Sequence, residues 1–324
     1  MKLRILTEAD CRELLGMRDA IDLQAEAFSL LASGAAVEGL RAVAKSEHPP
    51  GVAIFNPCFL REGRDFGVKV VSDFYGNTER GLPRMSAIIA LFDGETGLPR
   101  TLLEGGYITD LRTGAGTALA ARHLARPDSR TLGVVGAGRV ARNQIEALST
   151  LFDLREIRVY ARTRERAASL PGDVSLVESP EAAVRGADLV VAATTSTQPV
   201  IRGEWLSPGA FVAAVGAFAP DMRELDDTVI RRAACHAIDS RSDVLERAGD
   251  FIVPIGKGLL AREQVAEIAE IVSGRRAGRR TSDDIVVYKS SGVPIQDLVT
   301  AREVERRAIE RSAGTVLDLG GDHD

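Results

Sequence analysis

The chain has 324 residues, long for a single hydrophobic core, so two domains are expected. Hydrophobic residues make up 45% and charged residues 27% with a net charge of −5, the balance of a globular protein that does not live on nucleic acid. The first ten residues turn acidic at Glu8 and Asp10 before an apolar run can form, and no stretch approaches the ~18 apolar residues of a membrane span, so neither a signal peptide nor a membrane partner is expected. Cys11, Cys58 and Cys235 are odd in number and far apart, and the four histidines show no ligand spacing with them. A reduced, cytoplasmic, metal-free protein follows, with Cys235 and His236 structural. The densest basic stretch, 275–280, reads as a solvated loop.

In chain order, Thr7-Glu8-Ala9-Asp10 has the form of a helix cap with an acidic first turn. A helix over 17–33 turns Ile21, Phe28 and Leu31 inward and ends at Gly34. Strands are expected at 52–59, 66–72 and 85–93, with a hairpin at Asp93-Gly94-Glu95-Thr96-Gly97 leading into 100–103. Such consecutive strands make an antiparallel sheet. An alanine-rich helix over 110–124 precedes a change of pattern. Short apolar strands at 131–135, 157–161, 174–177, 189–193, 211–215 and 236–239 alternate with helical pieces, the signature of a doubly wound parallel sheet. A helix over 296–312 ends the ordered chain, and the tail 320–324 should fray.

The strongest local signal is Gly133-Val134-Val135-Gly136-Ala137-Gly138-Arg139-Val140-Ala141. Gly136 allows the strand-to-helix turn, Gly138 lets backbone approach a pyrophosphate, and Ala141 stands where helix and strand pack closely. The next helix would point its amides at the phosphates. The fold class expected is therefore α/β, a Rossmann-type doubly wound parallel sheet plus an α+β domain. The second strand ends Ala161-Arg162-Thr163-Arg164 with no carboxylate until Glu165. Arginines there suit a 2′-phosphate, so NADP(H) is the expected cofactor and NAD(H) the alternative.

Three cations stand where a surface charge would not: Lys69 inside an apolar run, Arg112 at the start of a small-residue helix, and Arg41 in a neutral segment. A buried cation needs a partner. A substrate carboxylate and internal salt bridges to Asp73, Glu104 or Asp110 are equally compatible with the pattern.

Tyr107-Ile108-Thr109-Asp110-Leu111-Arg112-Thr113-Gly114-Ala115-Gly116, the glycine turn, 66–71, 215–226 and Tyr288-Lys289-Ser290-Ser291-Gly292-Val293-Pro294-Ile295-Gln296-Asp297-Leu298 together resemble the ornithine cyclodeaminase/mu-crystallin family over nearly the whole chain. The resemblance implies a homodimer built on a substrate-binding and dimerisation domain, 1–115 with a returning C-terminal helix 305–324, and a dinucleotide-binding domain, 116–304. It implies that Arg41, Lys69 and Arg112 hold a substrate carboxylate facing the nicotinamide, with Lys69 and Arg112 as catalytic candidates. Cofactor candidates are Thr113, Gly136, Gly138, Arg139, Val140, Arg162, Thr163, Arg164, Thr194, Val215, Gly216, Ser291 and Gly292. Cyclodeaminases and archaeal alanine dehydrogenases place an aspartate where this chain has Phe218; Asp221 lies later, as in the ketimine reductases of the family. The expected activity is NAD(P)H-dependent reduction of an α-imino acid, cyclic or, like iminosuccinate, acyclic, to the amino acid. Ornithine cyclodeaminase, alanine-type dehydrogenase and a ligand-binding mu-crystallin role are its rivals.

Overall fold

The computed structural model describes residues 1–61 and 65–320. The chain divides into two units, Met1–Arg112 with Val293–Asp324 and Thr113–Gly292; the boundaries from sequence were 115 and 304.

The first unit opens with β1 (Lys2–Leu6) and α1 (Glu8–Leu14). As the sequence indicates, Thr7 caps α1: its hydroxyl accepts from Asp10 N at 3.3 Å, and the Asp10 carboxylate accepts from Thr7 N at 2.8 Å. α2 (Met17–Ala32) buries Ala20, Ile21, Ala27 and Phe28 along one stripe. Then come β2 (Ala36–Glu38), β3 (Ala42–Glu47), β4 (Pro50–Leu60), β5 (Asp65–Phe74), β6 (Met85–Asp93) and β7 (Pro99–Glu104). β4 through β7 pair antiparallel in sequence, β2 and β3 both join β4, and β1 adds to β7 in parallel.

Side chains alternate cleanly across β4, β5 and β6. Asn56, Lys69 and Ile89 are in register and buried, while Phe55, Val70 and Ile88 form the adjacent row on the opposite face. That second face is apolar yet open: Phe59, Phe66 and Phe92 stack with centroids 4.4 and 4.6 Å apart, and Phe55, Phe59 and Ile88 are exposed. α3 (Gly105–Leu124) begins earlier than the expected 110, because the Glu104 carboxylate accepts from Gly106 N and Tyr107 N and so starts the helix there.

The second unit contains β8 (Thr131–Val135), α4 (Arg139–Leu151), β9 (Glu156–Tyr160), β10 (Ser175–Leu176), α5 (Pro180–Val184), β11 (Leu189–Ala192), β12 (Phe211–Ala214), α6 (Asp227–Arg232), β13 (Ala233–Ile238), α7 (Arg241–Arg247), α8 (Gly249–Gly256), β14 (Val265–Glu267), α9 (Ile268–Val272) and β15 (Ile285–Lys289). Its strand order is β10-β9-β8-β11-β12-β15-β13-β14, and every pairing is parallel. This is the doubly wound sheet expected. β11 and β12 are buried at every residue, as central parallel strands are. The stretch 275–280 is not simply a solvated loop. Arg276 donates to the carbonyls of Val265, Glu263 and Gln264, and Arg279 to those of Leu124, Gly209 and Asp284, so both pin backbone.

The chain then forms α10 (Pro294–Glu310) and β16 (Thr315–Asp318) within the first unit. The segment 305–324 is therefore helical only to Glu310. Ser312 at φ 54° breaks the helix, and β16 pairs antiparallel with β1. Gln24 Nε2 on α2 reaches Thr300 Oγ1 on α10 at 3.2 Å, tying the two helices through their buried faces. Residues 321–324 of the tail expected to fray lie outside the described residues. Among the described residues no helix is long and apolar enough to cross a membrane.

Candidate functional site

In the first unit, β5 alternation turns Lys69 inward, and Pro294 at the first helical position starts α10 so that Asp297 falls in its first turn. Asp297 takes both cations: Lys69 Nζ lies 2.6 Å from Oδ2, and Arg112 Nε lies 3.0 Å from Oδ1. Lys69 is 5% exposed, Arg112 6% and Asp297 3%. Gln296 Oε1 accepts from Arg112 at 3.4 Å and from Val293 N at 3.1 Å. Arg41 Nε donates to Asn56 Oδ1 at 2.8 Å, the row that also holds Lys69.

Burial works to raise Asp297, but Lys69 and Arg112 together outweigh it and hold the carboxyl below its ordinary value. Burial also pushes the Lys69 ammonium down, to about 8; Asp297 opposes this, while the Arg112 and Arg41 charges add to it. Asp297 is shared between Lys69 and Arg112, and the Arg41 charge is close enough to act on Lys69. Converging guanidinium and ammonium groups of this kind suit an anion. The structure thus brings the three predicted cations together and adds the acid that sequence reasoning missed. The shared partner is Asp297; Asp73 pairs with Arg84 at 2.6 Å, and Glu104 serves the start of α3.

In the second unit, the carboxyl ends of β8, β11 and β12 meet. Gly136 adopts φ 121°, and a Cβ there would lie 2.4 Å from the Ala193 carbonyl. A Cβ at Gly216 would lie 2.1 Å from the Thr194 carbonyl, so only glycine lets these ends approach. Gly138, in contrast, has open space within 4 Å of a Cβ, and it precedes α4, whose N-terminus no side chain caps. Arg139 and Val140 begin that helix. Its N-terminal amides and the room at Gly138 fit a dinucleotide pyrophosphate. The Thr113 carbonyl accepts from Gln144 of α4 at 3.4 Å. Val215 continues β12, donating to Ala192 O at 2.9 Å.

After β9, Arg162 and Thr163 are exposed, and Arg164 reaches Glu178 at 2.8 Å across open surface. An exposed pair of this kind is weak and leaves Arg164 free to exchange partners. Ser291 N and Gly292 N donate to Asp239 Oδ2 at 2.8 and 2.6 Å, joined by Ser290 Oγ at 2.9 Å. Asp239, also missed from sequence, fixes that loop; burial pushes its carboxyl up, against these donors. The carboxyl ends of β8, β11, β12 and β15 carry every predicted cofactor residue except Thr113, on α3, and the group after β9, the parallel neighbour of β8. Among the described residues no cluster of His, Cys, Asp and Glu could hold a metal.

A family model described as the ornithine cyclodeaminase/mu-crystallin family matches residues 1–312. The chain is 31% identical to the Delta(1)-pyrroline-2-carboxylate reductase of Bacillus cereus, over 97% of this chain and 99% of that one. The structure of Thermococcus litoralis Delta(1)-pyrroline-2-carboxylate reductase in complex with NADH and L-proline superposes with a TM-score of 0.91 at 34% identity, covering 96% of this chain and 99% of that one. An archaeal alanine dehydrogenase dimer with bound NAD gives a TM-score of 0.91 at 31% identity, covering 99% and 100%.

Proposed function

Because the chain belongs to the ornithine cyclodeaminase/mu-crystallin family, we propose that it reduces an α-imino acid to the amino acid with NAD(P)H, a cyclic ketimine of the pyrroline-2-carboxylate type being the preferred substrate. The observation that carries this reading is the buried Lys69–Asp297–Arg112 cluster with Arg41 beside it. Arg112 spends Nε on Asp297 and one N–H on Gln296, and its remaining N–H groups clamp the substrate carboxylate in a reactive pose. Arg41, held by Asn56, adds the second cation. When bound, the reduced nicotinamide supplies a hydride to the imine carbon. Lys69, its ammonium lowered to about 8, gives the proton that the imine nitrogen acquires. Phe218, exposed in the loop after β12, offers no carboxylate where the resemblance places one in cyclodeaminases and alanine dehydrogenases.

Loss of reduced-nicotinamide absorbance with pyrroline-2-carboxylate or piperideine-2-carboxylate tests the activity. Loss only with pyruvate and ammonia would make the chain an alanine-type dehydrogenase. Ammonia release from ornithine without net change in the cofactor would make it a cyclodeaminase.

NADP(H) is the cofactor this reading favours, supported by Arg162 and Thr163 after β9 and by the lack of a carboxylate there before Glu165. Arg162→Asp should lower the ratio of kcat/KM for NADPH over NADH by about tenfold or more, since an aspartate repels a 2′-phosphate and accepts from a 2′-hydroxyl. An unchanged ratio would remove Arg162 from the site.

A homodimer is likewise proposed. What supports it is the apolar outer face of β4, β5 and β6, where an exposed antiparallel face ordinarily carries polar side chains. Light scattering should give twice the chain mass, and Ile88→Glu should shift it to the monomer. A variant that stays dimeric would move the interface elsewhere.

A further inference from the structure

Lys289, the last residue of β15, is fully buried, and so are Glu224 and Asp250. Lys289 Nζ lies 3.2 Å from Asp250 Oδ2 and 3.9 Å from Glu224 Oε2, so one cation faces two carboxylates. Asp250 Oδ1 accepts from the backbone of Glu224 and Leu225, at 2.7 and 2.8 Å, and fixes the segment that carries Glu224. The Glu224 carboxylate then divides its oxygens. Oε1 accepts from Thr194 N at 2.7 Å and Thr194 Oγ1 at 2.9 Å, beyond β11. Oε2 accepts from Gly216 N at 2.8 Å and Ala217 N at 3.0 Å, beyond β12. Every group it meets on these two loops is a donor.

We propose that Glu224 is a positioning residue: a two-armed acceptor, braced by Asp250 and Lys289, that fixes the ends of β11 and β12 under the nicotinamide half of the cofactor. This rests on the reading that the second unit binds NAD(P)H. Only an ionised carboxylate fits. A glutamine has one acceptor oxygen, and its NH₂ would meet N–H donors on one loop or the other, so one strand end is released whichever way the amide turns. Burial pushes Glu224 up while Lys289 and the backbone donors oppose it, so the lysine helps keep the acceptor charged. The adenine half, held by the amides of α4 and the residues after β9, owes nothing to this carboxylate.

The test compares wild type with Glu224→Gln in binding NADPH and the adenosine bisphosphate that forms its adenine half, by calorimetry. Wild-type binding of NADPH or NADH establishes the cofactor reading independently; the absence of both overturns that reading and this proposal with it, and if only NADH binds, NADH and AMP replace the pair. Given binding, Glu224→Gln should weaken NADPH by roughly tenfold to hundredfold, the scale of one bond to a charged acceptor, and leave the adenosine bisphosphate within about twofold. Should that variant fail to fold, Thr194→Val removes a single donor from Oε1 and should weaken NADPH by roughly threefold to tenfold with the same indifference of the adenine half. Equal weakening of both ligands, or of neither, overturns the positioning role, because a merely structural carboxylate would lower the melting temperature without separating the two halves.

Discussion

Asp297→Asn should cost at least about a hundredfold in kcat/KM at pH 8 and shift the alkaline limb of the pH–rate profile to lower pH. The side chain keeps its volume, and one oxygen can still accept from Arg112 Nε. The amide NH₂, however, would face the Lys69 ammonium now 2.6 Å from Oδ2, donor against donor. With the carboxylate gone, burial and the Arg112 and Arg41 charges push Lys69 further down. Lys69 then loses its proton near neutrality and cannot supply one. Breaking a buried pair on one side also costs about 3–5 kcal/mol of stability, to be read from urea unfolding.

The wild-type pH dependence of stability has a definite sign. The Asp297 carboxyl lies below its ordinary 3.8, so its contribution is present above that value and is lost as pH falls through the lowered one. Lys69 has the same sign of slope in another window: from about 8 to 10.5 the unfolded chain binds the proton that the native protein has released, and stability gains from this group as pH rises. An Asp297→Asn enzyme whose alkaline limb stays in place would take Lys69 out of the proton transfer.

Gly136→Ala should abolish measurable cofactor binding and destabilise the second unit by about 3 kcal/mol or more. Two costs combine. An L-residue at φ 121° is strained, and its Cβ would sit 2.4 Å from the Ala193 carbonyl, forcing apart the ends of β8 and β11 where the strand order turns. Gly138→Ala separates fold from ligand. Its φ is −90° and its Cβ would point into open space, so the protein should melt as wild type while NADPH affinity falls, because the methyl group takes the room a pyrophosphate would use. Fluorescence titration and thermal melting, run on both variants, decide it. If Gly138→Ala binds NADPH as tightly as wild type, the phosphates do not lie there.

Most of the second sheet was legible because short apolar strands alternate with helices and Gly136 and Gly138 mark the turn that defines it, but β15, a wholly buried central strand, and β14 were not among the strands expected. The first sheet's central strands were legible from alternation, as in the buried Asn56–Lys69–Ile89 row. β3 and β16 were not: their side chains are almost all exposed, so no periodic burial shaped their composition. Asp297 escaped because its partners lie far away in the chain and a single carboxylate in a helix's first turn is commonplace. Its signal was an acid flanked by buried Gln296 and Leu298. Lys289 ends an apolar strand much as Lys69 interrupts one; the argument made for the one applied to the other.

Synthesis from the N-terminus gives the division of the chain a consequence in time. The second unit is one continuous stretch, complete when residue 292 has been made. The first unit is not, because α10 supplies Asp297 to Arg112 across 185 positions, Thr300 to Gln24 and Glu305 to Thr101. Until α10 leaves the ribosome, Lys69 and Arg112 have no acid to be buried with, and β4, β5 and β6 cannot close their inner face over them. The half proposed to hold the carboxylate is begun first and finished last, so a nascent chain owns a complete second sheet before it owns the Lys69–Asp297–Arg112 cluster.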